Sequence, residues 1–250
     1  MADRSSIEWT NATWNPVTGC TRISPGCDHC YAERFSERFR GVPGHPFEQG
    51  FDLTLRPERL AQPLAWRRPR LVFVNSMSDL FHKAIPITFI DQVFETMEAA
   101  HWHRFQLLTK RSLLLRDYVN RRYDTRPAPA HIWCGVSVED SRRQSRIRHL
   151  RATRAAVRFL SLEPLIGPVS NLELDGIHWV IAGGESGPGA RPIQADWVRD
   201  IRDQCWEAKV PFFFKQWGGR TPKSGGRTLD EREWSDLPGV PTEAFVAAAE

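Results

Sequence analysis

The sequence predicts an α/β fold, a partial or full parallel (β/α) barrel of about six to seven strand–helix units. Three observations carry the prediction. Short runs rich in β-branched and aromatic residues alternate with segments of helical periodicity from residue 70 onward. The runs are almost continuously apolar, as strands covered on both faces must be. The residues just past each run are polar and chemically capable, so that parallel strands would gather them on one rim.

In chain order, the first unit is a strand at residues 7–14, followed by a cysteine-bearing loop at 14–31 and a helix at 31–40. The later runs are 71–75, 105–109, 132–138, 157–162, 179–182 and 211–215, with helices at 86–100, 113–122, 141–152 and 195–208. Pro86 suits a first helical turn, and Asp91, Val93, Phe94 and Met97 separate polar from apolar positions at helical spacing. Residues 1–220 then form one barrel, and 221–250, opening on Lys223, Ser224, Gly225 and Gly226, form a C-terminal extension with a frayed end.

The strand ends supply the candidate site. Lys110, Glu163 and Lys215 are candidate catalytic groups. A lysine closing an apolar strand can anchor an anion or give up a proton when burial lowers its pKa, and a rim glutamate can act as a base. Asn75, Ser137, Glu139, Glu185 and Gln216 are candidate polar contacts to a cofactor or small-molecule ligand, and Gly183 and Gly184 allow close backbone approach. Trp217 is a candidate stacking platform for a base or adenine ring.

With 41% hydrophobic residues the chain can bury a sizeable core. No stretch approaches the roughly 18 apolar residues of a membrane span, and the opening MADRSSIEW lacks an apolar signal segment, so a cytoplasmic protein is expected. A net charge of +4 is too mild to establish a nucleic-acid partner. The arginines nevertheless cluster at 67–70 and 142–154, which fits either contact with a phosphate backbone or a solvated helix face.

Five cysteines in a reducing compartment do not suggest a disulfide framework. Cys134 and Cys205 stand in apolar surroundings and read as core. Cys20, Cys27 and Cys30 are separated by six residues and then two, in a polar Gly/Pro loop where free thiols are a liability. Thiolates at such spacing ligate iron–sulfur clusters or structural zinc. Zinc would need a fourth ligand, for which His29 or His45 could serve; a [4Fe–4S] cluster on three cysteines keeps one iron open for a substrate or cofactor.

The motifs IEWTNATWNPVTGC, SPGCDHCYAERF, FVNSMSDLF, LLTKR, GVSVED, SLEPL, GGESGPGARP and PFFFKQWGG resemble a phage-associated family of three-cysteine-motif proteins related to the radical-SAM superfamily. The resemblance implies a partial α/β barrel, a [4Fe–4S] cluster on Cys20, Cys27 and Cys30 after the first strand, and S-adenosylmethionine chelated by the open iron. Two features depart from the superfamily pattern. The first cysteine gap is longer, with His29 directly before Cys30, and the Gly183-Gly184-Glu185 stretch follows a late strand rather than the second. Three functions are therefore in view: a cluster enzyme acting on a nucleobase or nucleic acid, a nucleic-acid-binding or repair-associated protein with a structural or electron-transfer cluster, and a zinc-stabilised binding module.

Overall fold

The computed structural model describes residues 5–221 and 223–239. Seven parallel strands form one curled sheet in strict chain order: β1 (Ala12–Trp14), β2 (Leu71–Val74), β3 (Arg104–Thr109), β4 (Ala128–Ser137), β5 (Ala155–Leu162), β6 (Trp179–Gly183) and β7 (Phe212–Gln216). The two outer strands do not pair with each other, so the sheet is a half-barrel. Among the described residues five α-helices accompany it: α1 (Tyr31–Glu37), α2 (Ile87–Ala99), α3 (Ser112–Arg122), α4 (Ser145–Arg151) and α5 (Ala195–Glu207). The connection from β5 to β6 carries no helix.

Alternation along each strand divides its side chains between two cores. Val72, Val74, Phe105, Leu107, Ile132 and Val136 face outward, where they meet Val93, Phe94 and Met97 of α2, Leu115 of α3, Ile147 of α4 and Ile201 of α5. The concave face carries an aromatic floor of Trp9, Phe73, Trp133, Phe159, Trp179 and Phe213. Trp179 sits at its centre, with ring centroids 5.9 Å from Phe159, 6.0 Å from Phe213 and 6.1 Å from both Trp9 and Trp133. The register makes room for the Phe159 ring: Gly135 lies opposite it on the neighbouring strand, and a Cβ there would stand 2.4 Å from that ring.

The expected strand at 7–14 shortens to Ala12–Trp14 because Ile7 and Trp9 turn under the sheet to plug its floor. The described part of the extension is also bound to the sheet. Ser235 bridges Phe213 antiparallel, Phe214 N donates to Trp234 O at 2.9 Å, and Leu237 packs on the aromatic floor. Its end beyond residue 239 lies outside the described residues.

No helix among the described residues is long and apolar enough to cross a membrane. Residues 67–70 precede β2 and so lie at the N-terminal end of the sheet, opposite the rim. Arg70 there stacks on Trp66, 4.8 Å from the ring centroid. Much of the 142–154 run is engaged within the fold. Arg146 is buried, Arg142 pairs with Asp140 at 2.6 Å, Arg151 pairs with Glu173 and Asp175, and Arg154 donates to Tyr123 O.

Candidate functional site

Two residues past each concave-facing strand position the alternation puts another side chain on the inner face, now at the C-terminal rim. Phe73 is thus succeeded by Asn75, Leu108 by Lys110, Ser161 by Glu163 and Phe213 by Lys215. These rim groups and the cysteine loop enclose one cavity of about 680 Å³. Cys20, Cys27 and Cys30 line it together with Asn75, Lys110, Ser137, Glu163, Gly184, Glu185, Lys215 and Gln216. Residues more than a hundred positions apart are thereby brought to one concavity, whose floor holds Trp9 and Phe73.

The cysteine loop is held from two sides. Gly26 passes so close to Glu139 that a Cβ would stand 2.4 Å from its Cγ, and the Ser24 hydroxyl donates to Glu139 Oε1 at 2.6 Å. Glu139 is fully buried. Arg146 donates to its other oxygen at 2.8 Å, and Lys110 Nζ lies 3.7 Å away. Burial pushes its carboxyl up, but Lys110, Arg146 and the Ser24 hydrogen bond outweigh that and leave its pKa lowered. On the other side Glu185 accepts from the backbone and guanidinium of Arg191, at 2.9 Å from both N and Nε. Arg191 Nη2 in turn donates to Pro25 O at 2.9 Å, and Nη1 faces Asp28 at 3.6 Å. Burial again opposes ionisation of Glu185, and Arg191 holds its pKa below the ordinary carboxylate value. Both glutamates, expected to contact a cofactor, have their carboxylates engaged in clamping the loop.

The thiols differ in setting. Cys20 Sγ accepts from Arg111 Nη1 at 3.5 Å, and the same guanidinium reaches Asp79 at 3.1 Å and Thr21 O at 3.0 Å. Burial, reinforced by Asp79 and opposed by Arg111, pushes the Cys20 thiol up to about 11. Cys27 Sγ faces the Ser24 hydroxyl at 3.9 Å. Burial raises the Cys30 thiol, while the amides of Glu33 and Ala32 and the Lys110 charge pull it back. None of the three is in a disulfide.

Among the described residues no three His, Cys, Asp or Glu side chains are gathered closely enough for one metal ion. The donor set nonetheless suits a cluster, which takes each thiolate on a different iron and therefore spreads its ligands around itself. Cations at Arg111 and Lys110 stand ready to offset thiolate charge.

Across the cavity Lys215 Nζ donates to Glu163 Oε1 at 2.5 Å, with both side chains mostly buried. Gly183 borders the pair without being required by it, since a Cβ there would stand in ordinary van der Waals contact, 3.4 Å from Lys215 Cβ and 3.6 Å from Glu163 Cδ. Gln216 donates to Ser186 Oγ at 2.7 Å and to Gly184 O. Trp217, the expected stacking platform, instead packs edge-on against Phe214 at 4.7 Å, and its indole N–H is taken by Thr228 O. Sequence reasoning missed Arg191, Arg146 and Ser24 as site-building residues. Their only signal is a charged or hydroxyl residue near a Gly/Pro turn or inside an arginine run, which many solvated positions share.

Fold and site define an α/β half-barrel protein that carries a three-cysteine loop over a charged, aromatic-floored cavity at the C-terminal rim. The family model DUF5131, described as "Protein of unknown function (DUF5131)", matches residues 4–238, and the chain belongs to that family. No curated protein matches the chain. Among solved structures, one described as "Spore photoproduct lyase complexed with dinucleoside spore photoproduct" is similar, with 12% sequence identity and a TM-score of 0.43. The match covers 76% of this chain and 59% of that one, so this chain spans about three-fifths of its length.

Proposed function

We propose that the chain is an enzyme that holds a [4Fe–4S] cluster on Cys20, Cys27 and Cys30. With S-adenosylmethionine, the cluster would serve radical or redox chemistry on a nucleobase or nucleic acid. The observation that supports this reading best is that three free thiols open into the same cavity as Lys110, Glu163 and Lys215. Bound there, the cluster would supply one-electron chemistry at an iron that no cysteine holds.

The chain's own residues have distinct parts in this reading. Glu139 and Glu185, acting through Ser24 and Arg191, fix the loop so that its thiols keep their spacing as metal enters. Loading must displace the protons of the raised thiols Cys20 and Cys30, with Arg111 and Lys110 compensating the charge that remains. The Lys215–Glu163 pair offers a cation and an anion to a zwitterionic ligand, such as the methionine end of S-adenosylmethionine. The aromatic floor keeps water away from that exchange, which strengthens each ionic contact.

Anaerobic reconstitution followed by iron and sulfide analysis tests the cluster, and conversion of S-adenosylmethionine to 5′-deoxyadenosine tests the chemistry. The expected result is iron bound through all three cysteines, with cleavage of S-adenosylmethionine under reducing conditions. Iron uptake without cleavage would reduce the reading to an electron-transfer or structural cluster. Failure to take up iron at all would overturn it.

A further inference from the structure

One polar side chain in the cavity has no task within the protein. Asn75 is 2% exposed and lines the cavity, yet neither its amide nitrogen nor its amide oxygen has a hydrogen-bond partner. Its backbone is fully used: the N–H donates to Trp14 O at 2.8 Å, and the C=O accepts from Ser78 N at 3.2 Å. The residue also holds a φ of 59°, in the left-handed region where glycine fits with less strain. Glycine would meet the backbone requirement without burying an amide, and an unpaired buried amide is destabilising. The side chain therefore calls for a partner from outside the chain.

The surroundings say what kind of partner. Phe73 and Trp9 line the same end of the cavity, with ring centroids 4.7 Å apart, and the Trp9 indole N–H is likewise buried without an acceptor. An apolar, aromatic wall accepts a flat ring. A carboxamide presents a donor and an acceptor side by side, which pairs with a ring edge carrying an acceptor and a donor in the same order. Each nucleobase has such an edge, and pairing an asparagine with adenine in this two-point manner is an established mode of base recognition.

We infer that Asn75, two residues beyond Phe73 at the rim of its strand, is a nucleobase-reading position of this cavity. The inference deepens the proposed function, because it gives that site a ligand class. It holds for the base of a nucleoside cofactor and for the base of a substrate alike. It depends on the cavity and not on the metal.

The test measures binding of adenosine, thymidine and N6,N6-dimethyladenosine by calorimetry, on iron-free and iron-reconstituted protein. The proteins compared are the wild type, Asn75→Gly and Asn75→Asp. Glycine and aspartate both tolerate the positive φ, so the folded state is preserved, and the thermal midpoint of Asn75→Gly should not fall.

Wild type should bind at least one of adenosine and thymidine. Both variants should weaken that binding by about tenfold or more, the scale of a lost two-point base contact. Dimethyladenosine, whose exocyclic amine has no N–H to donate, should bind wild type no better than adenosine binds Asn75→Gly. Competition between adenosine and S-adenosylmethionine would assign the base to a cofactor, and its absence would assign it to a substrate. Binding unchanged in Asn75→Gly, or no nucleoside bound by either form of the wild type, would overturn the inference. Asn75-dependent binding in a protein that takes up no iron would sink the cluster reading and leave this one standing.

Discussion

Removing the Glu139 carboxylate by Glu139→Ala is the sharpest perturbation of the clamp on the cysteine loop. The side chain is fully buried and serves three partners: Ser24 Oγ at 2.6 Å, Arg146 Nη1 at 2.8 Å and Lys110 Nζ at 3.7 Å. Arg146 is itself buried and would keep only its bond to Ser137 O. Breaking a buried pair by deleting one partner costs about 3–5 kcal/mol. The lost charged contact to Ser24 overlaps with that figure rather than adding to it. Glu139→Gln leaves an acceptor for one neighbour and removes the charge, so a loss of about 1–3 kcal/mol is expected. Urea denaturation supplies the stability, hydrogen exchange at residues 24–28 reports the loop, and iron content after anaerobic reconstitution reports the site. The expected order of damage is Ala, then Gln, then wild type in all three readouts. A stability loss below about 1 kcal/mol in Glu139→Ala, or a large loss with unchanged exchange in the loop, would refute the clamp.

Three further outcomes follow from the same geometry. Cys20→Ser, Cys27→Ser and Cys30→Ser should each abolish stable iron binding, whereas Cys134→Ser and Cys205→Ser, whose buried thiols are pushed up to about 12, should leave iron per chain unchanged. Glu163→Ala should weaken S-adenosylmethionine binding by about 1–3 kcal/mol in equilibrium dialysis while iron content is kept, because it leaves Lys215 without its 2.5 Å partner. The folded-state pKa values of Glu139 and Glu185 are lowered, so their contribution to stability is complete above about pH 4.3 and is lost as pH falls through the folded values. Thermal midpoints should therefore show the gap between wild type and Glu139→Gln closing on acidification; a gap constant down to pH 3 would contradict the assignment.

The strands were legible because each is nearly all apolar and short, a pattern that buried parallel strands impose. The rim was legible because a period of two carries the inner face past each strand end, to Asn75, Lys110, Glu163 and Lys215. The first strand was overextended because Trp9 is as apolar as a strand residue, although it packs beneath the sheet. The clamps were not legible. Ser24 and Glu139 lie 115 residues apart, and Arg191 and Pro25 lie 166 apart, so nothing local marks either pair. Arg146 reads as one more member of a solvated arginine run, and only its place on the inner side of α4 turns it toward Glu139.

The closing of the sheet's underside by both ends of the described chain has a practical bearing on how the protein is produced. Trimming at residue 220, where composition alone drew a boundary, would delete Asp236, whose carbonyl accepts from the Trp179 indole at 2.8 Å, and Leu237, which packs on the same aromatic floor. The centre of the aromatic floor would then meet solvent from below, and the edge of β7 would lose Trp234 and Ser235 as backbone partners. A preparation shortened in this way would be prone to self-association and would hold a wet cavity, so a negative binding or reconstitution result obtained with it would describe the truncation.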